Sequence, residues 1–143
     1  AEDPTNKYDT RLVINDTIIT PDLVSAVDDA GAQIFVDRFG QPQAYLKNRF
    51  AGLHVYDTSR RKAWTAVSFR TSTSALAEQT KAGSDASAIR LLDHALPLGG
   101  GLVVYSGEGS IVAGIGVSGA PGPELDEVCA QDGIDAIEDD IAF

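Results

Sequence analysis

Cysteine is almost missing from this chain: Cys129 stands alone among 143 residues, which excludes an intrachain disulfide and leaves packing to hold the fold. Histidine is nearly as scarce. His54 and His94 have no partners at metal-site spacing, so no zinc site is expected. Basic residues are outnumbered, with 11 Lys and Arg against 21 Asp and Glu, a formal net charge of −10 and a pI near 4.4. Such a chain repels phosphate backbones and anionic lipid surfaces at long range, which excludes nucleic acid as the expected partner. No apolar run approaches the roughly 18 residues of a membrane span, so no membrane partner is expected either. Methionine is absent altogether. The first residues, Ala1-Glu2-Asp3-Pro4, resemble the end that signal-peptidase cleavage leaves, so a periplasmic location is the expectation and the cytoplasm the alternative.

What is present suits one globular domain with one core: 43% of the residues are hydrophobic and 22% charged. Residues 1–11 are polar and contain Pro4, which predicts a leader ahead of a single domain over residues 12–143. Leu12-Val13-Ile14 reads as an edge strand. Thr20 with Pro21 and Asp22 opens a short helix ended by Gly31. Two hairpins follow the period-2 pattern: residues 33–37 with 43–47 around Gly40, and 102–105 with 111–117 around Ser106-Gly107-Glu108-Gly109. Between them, Asp57 or Thr58 caps a helix through about Phe69, and Thr73 or Ser74 opens a shorter one. A last helix starts at Pro123, with Leu125, Cys129, Ala130, Gly133, Ile134, Ala136 and Ile137 on its apolar half. Hairpins interleaved with helices predict an α+β fold, an α/β sandwich with an antiparallel sheet of about five strands flanked by helices. Residues 80–101, rich in Ala, Ser and Gly, are the expected mobile stretch.

Gly114-Ile115-Gly116-Val117-Ser118-Gly119 matches the dinucleotide-binding pattern G-x-G-x-x-G. Only 24 residues follow Gly119, and Pro121 and Pro123 occupy the phosphate turn, so the glycines are better read as allowing a helix close to the sheet. Backbone N–H groups around Ser118, Gly119 and Ala120 still offer a weak anion site. The pattern lacks the second glycine of a nucleophile elbow, and no acid/base pair stands out, so enzymatic turnover is not the expected role. Ser59-Arg60-Arg61-Lys62 would place three cations in the first turn of a helix, where the macrodipole disfavours them. Either the chain's own acids or a bound carboxylate or phosphate must compensate. Arg60 is spaced to lie over Trp64 or reach a neighbouring cavity, whereas Trp64 itself reads as core. Cys129 reads as a packing residue.

The runs Phe35-Val36-Asp37-Arg38-Phe39-Gly40, Asp57-Thr58-Ser59-Arg60-Arg61-Lys62-Ala63-Trp64-Thr65-Ala66, Gly99-Gly100-Gly101, Gly114–Pro121 and Asp126-Glu127-Val128-Cys129-Ala130 together resemble the GlcG/HbpS-like (DUF336) family over residues 33–137. The resemblance implies a profilin-like domain that assembles into homo-oligomers, with heme as a ligand of some members and redox or catabolic enzymes as companions of others. Carried over by position, it implies that Lys62, Thr65, Gly100, Gly101, Ser118, Gly119 and Asp126 converge. Arg61 or Lys62 would pair with a heme propionate, with His54 the preferred iron ligand and His94 the second. The chain departs from the family in its short helix after Pro21. Three functions follow: a heme or tetrapyrrole carrier or sensor, first; a non-catalytic oligomeric accessory subunit of a redox or catabolic enzyme; and a heme-degrading enzyme.

Overall fold

The structure, a computed structural model, describes residues 12–14, 17–19 and 31–143. The predicted leader and the predicted helix from Thr20 lie outside the described residues, apart from Gly31 at that helix's end, whose φ of 99° is a left-handed conformation suited to glycine. Strands β1 (Leu12–Ile14) and β2 (Thr17–Ile19) pair antiparallel in a ribbon of their own.

The main sheet holds β3 (Ala32–Asp37), β4 (Pro42–Lys47), β5 (Gly101–Tyr105) and β6 (Ile111–Ser118), in the order β4-β3-β6-β5, with every pair antiparallel. The α+β antiparallel class is as expected, but the sheet has four strands, not five. The difference is Leu12–Ile14, which finds its hydrogen-bond partner in Thr17–Ile19 and not at the edge of the main sheet.

Both hairpins fall where the alternation places them. In the first, the Asp37 carboxylate closes the turn by accepting from the backbone N–H of Phe39 (2.9 Å) and Gln41 (3.1 Å). In the second, Gly109 supplies a φ of 84°.

Helix α1 (Val55–Phe69) covers one face of the sheet and α3 (Pro123–Ala136) the other, with the short α2 (Thr73–Gln79) beside α1. The side chains of β6 divide between the faces. Ala113, Ile115 and Val117 join Phe35, Val104, Ala130 and Ile137 in the larger core under α3. On the other face β6 presents Gly114 and Gly116, and any Cβ at Gly116 would overlap the Ser59 carbonyl and the Ala63 backbone. The glycines therefore set how closely α1 lies on the sheet, which is the packing reading of the G-x-G pattern.

Two features differ from expectation. Helix α1 starts at Val55, three or four residues early, because its N-cap His54 makes no side-chain cap and so leaves no capping signature. Arg60, Arg61 and Lys62 consequently lie in its second turn, and Asp57 occupies the first. In α3 the buried line is Asp126, Ala130, Gly133 and Ile137, whereas Leu125 is 45% exposed. Residues 80–101 are tied at several points: Arg90 Nε donates to Thr80 Oγ1 (2.9 Å), Leu96 N donates to Thr65 Oγ1 (2.9 Å), and Ala95 is buried.

Candidate ligand-binding site

Because α1 rests on glycines, Lys62 is carried deep into the molecule, where its side chain is 1% exposed. Its Nζ donates to Asp126 Oδ2 (2.8 Å) from α3 and to the Val117 carbonyl (2.9 Å) at the end of β6. The other oxygen of Asp126, Oδ1, accepts from Ala120 N (2.9 Å). One buried ion pair thus joins α1, β6, the turn after β6, and α3. Gly100 (φ 124°) lies against it, since a Cβ there would meet Val117 O, Asp126 Cβ and Lys62 Nζ within 3.0 Å. Removing either partner of such a buried pair leaves an uncompensated charge, which is costly.

Above the pair, the loop at residues 50–54 and the turn at 118–123 enclose a cleft of about 460 Å³. His54 and Thr58 stand on one side, Ser118 and Gly119 on the other, with Lys62 and Asp126 at the bottom. Thr58 Oγ1 donates to Ser118 Oγ (2.7 Å) across it. The His54 side chain has no hydrogen bond among the described residues, and Gly52 leaves it room, since a Cβ there would come within 2.8 Å of its Cε1. Phe50 and Leu53 are 85% and 101% exposed at this loop, Leu98 is partly exposed beside it, and Arg49 rests its guanidinium 5.3 Å over the Phe50 ring.

The family-matched positions converge in part. Lys62, Gly100, Ser118, Gly119 and Asp126 meet, with His54 at the rim and Gly101 packed against the Lys62 backbone. Thr65 stands apart: its hydroxyl donates to Arg61 O (2.6 Å) and accepts from Leu96 N, which anchors the 94–96 loop. Arg60 does not lie over Trp64; its Nη2 donates to Asp57 Oδ1 (2.8 Å). Arg61 donates to Ala95 O (2.8 Å) and approaches Asp57 at 3.9 Å. The second-turn cations are therefore balanced by Asp57 and Asp126, the chain's own acids, and the anion held by the turn at Ala120 is the Asp126 carboxylate.

His94 is not in this cleft. Its ring tilts against Trp64, 5.5 Å between centroids, so the two histidines serve different places. Trp64 belongs to neither core cluster and is half-buried, a correction to its reading as core. Thr58, Phe50 and Leu98 also line the cleft and were not among the residues expected there. The available signal was two large apolar residues, Phe50 and Leu53, in a short polar segment.

Over residues 25–135 the chain matches the family described as Haem degrading protein HbpS-like. The chain belongs to the HbpS-like family. A double mutant of Streptomyces reticuli HbpS is 32% identical, with 96% of this chain and 94% of that one covered at a TM-score of 0.74. A PduOC:heme complex is 26% identical, covering 81% and 89% at a TM-score of 0.72. The Klebsiella pneumoniae protein ORFY, of DUF336, is 27% identical, covering 81% and 85% at 0.72. No curated protein matches significantly. In this HbpS-like chain the matched range contains α1, the whole main sheet and nearly all of α3, so the cleft and its ion-pair floor fall within it.

Proposed function

We propose that this chain binds heme or a related tetrapyrrole as a carrier or sensor, at the cleft between residues 50–54 and 118–123. The observation that carries this reading is His54: an imidazole without a hydrogen-bond partner among the described residues, in a cleft lined by Phe50 and Leu98, both exposed. Imidazole is a common axial ligand of heme iron, and exposed apolar side chains suit the face of a porphyrin. Membership of the HbpS-like family and likeness to a heme complex support the same ligand.

The residues fit such a group. His54 would hold the iron, the apolar rim would exclude water from one ring face, and Arg49 would pair with a propionate. Arg61 and Lys62 are less suited to the propionates, because their guanidinium and ammonium groups already serve Ala95 O, Asp57 and Asp126. Bound heme would supply iron-centred redox and ligand-binding chemistry. The chain's own polar groups at the bottom of the cleft are joined to each other, which favours binding over turnover. Assembly into homo-oligomers, service to a redox or catabolic enzyme, and a periplasmic location belong to the same proposal; exposed Leu53, Leu91 and Phe39 supply apolar surface for contacts between proteins.

The test is an absorbance titration with hemin, with albumin and heat-denatured protein as controls. The expected result is a saturable, stoichiometric Soret shift that His54→Ala abolishes or displaces and His94→Ala leaves unchanged. Uptake that never saturates, or that matches the controls, would remove heme as the ligand.

A further inference from the structure

A second cleft, of about 500 Å³, lies between the β3–β4 turn and the C-terminal end of α1. Trp64 lines it, with Arg38 and Arg70 contributing two guanidiniums and Val67 and Ile111 an apolar wall. None of these residues takes part in the cleft at His54.

Asp57 serves Arg60 and Arg61, Glu78 serves Lys81, Asp126 serves Lys62, and Arg90 bonds Thr80 and Ala77. Among the described residues Lys47, Arg49, Arg38 and Arg70 have neither a carboxylate nor a hydrogen bond for their side chains, and Arg38 and Arg70 are the two of these that line the cleft at Trp64. They share one cleft in a protein of net charge −10. Two arginines lining one cleft raise its positive potential, and an anion bound there lowers it while accepting forked hydrogen bonds.

The backbone is arranged around the same place. Arg70 ends α1 at φ 54°, ψ 41°, the left-handed conformation that helices usually assign to glycine. It is the only non-glycine residue with positive φ among those described. A strained arginine where glycine would be easier is an outlier that a functional side chain explains. Gly40, at φ 79°, does the reverse: a Cβ there would come within 2.6 Å of Trp64 Cδ1, so the missing side chain makes room for the indole. The indole, half-buried between Gly40 and His94, lines the cleft, so an aromatic ring bound there would meet it.

We propose that this cleft is a second binding site, for a small planar aromatic dicarboxylate whose ring stacks on Trp64 and whose carboxylates pair with Arg38 and Arg70. The proposal stands independently of heme binding at His54.

Trp64 is the only tryptophan in the chain, so its fluorescence reports this cleft alone. The intact protein would be titrated with isophthalate, with isophthalamide as the neutral counterpart and succinate as the dicarboxylate without a ring. The expected result is a saturable fluorescence change with isophthalate only. Its Kd should rise about tenfold or more in Arg70→Gly and Arg38→Gln, as the loss of a charge-assisted contact implies, and stay unchanged in His54→Ala. Arg70→Gly suits the native backbone, so lost binding there is not lost folding, which a thermal melt would verify. Equal response to isophthalamide or succinate, no saturable response, or undiminished affinity in Arg70→Gly would each overturn the proposal. So would loss of hemin uptake in Arg70→Gly, which would make this cleft part of the heme site.

Discussion

The two faces of the main sheet are built on opposite plans. Under α3 the strands supply Phe35, Val104, Ile115 and Val117, and the helix rests on side chains. Under α1, β3 supplies Ile34 and Val36 to a smaller core, but β5 and β6 supply Gly101, Gly114 and Gly116, and there the helix backbone comes down onto the strands. The first plan gains stability from buried apolar area. The second gives up much of that area for position: it brings Lys62 from α1 to the end of β6 and within 2.8 Å of Asp126 on α3. The face with small side chains is the face that assembles the cleft.

The sharpest way to break this contrast is to remove one partner of the buried pair. Lys62→Met leaves Asp126 buried without its cation and is expected to destabilise by about 3–5 kcal/mol in urea unfolding. Joining it with Asp126→Leu should recover much of that loss, because no unpaired charge then remains. A smaller effect separates the faces directly. Gly116→Ala should cost about 3 kcal/mol, because the new methyl overlaps the Ser59 carbonyl, whereas the neighbouring Ile115→Val on the other face should cost about 1 kcal/mol. Equal losses at the two positions would mean that α1 can lift off its glycines.

Arg70→Gly works in the opposite direction and should stabilise by about 1 kcal/mol in thermal melts, by relieving a left-handed non-glycine residue at the end of α1. The smallest expected effect is at alkaline pH, on the α1 face. Tyr45 packs edge-on against Tyr56, 4.8 Å between ring centroids, and its hydroxyl titrates above the ordinary 10.0 because of burial first and the neighbouring Tyr56 second. The neutral form is favoured on folding, so its contribution is complete below pH 10 and lost as pH rises through the raised value. Stability measured at increasing alkaline pH should fall more in the unmodified chain than in Tyr45→Phe.

Both hairpins and the start of α3 were legible because their signals are local. Period-2 alternation, Gly40, Gly109 and the Gly122-Pro123 pair act within a few residues of where they stand. The start of α1 was not, because His54 is an unconventional N-cap and Asp57 imitates one. The burial of Asp126 was hidden for a different reason: its spacing puts it in line with Ala130 and Gly133, but the cation that makes a buried aspartate tolerable, Lys62, is 64 residues away. Trp64 read as core by composition, yet Gly40 and His94 hold it half-buried at a cleft.

By itself, then, the sequence determined both hairpins, the helices over 55–69, 73–79 and 123–136 in outline, the antiparallel α+β class and the family, since these follow from periodicity, turn chemistry and short motifs. Only the tertiary structure decided which cations are balanced from within, that His54 and His94 serve separate places, and that Leu12–Ile14 pairs with its neighbour and not with the main sheet. Those outcomes depend on how closely distant segments approach, and that distance is set by what lies between them: here, the missing side chains of Gly114 and Gly116.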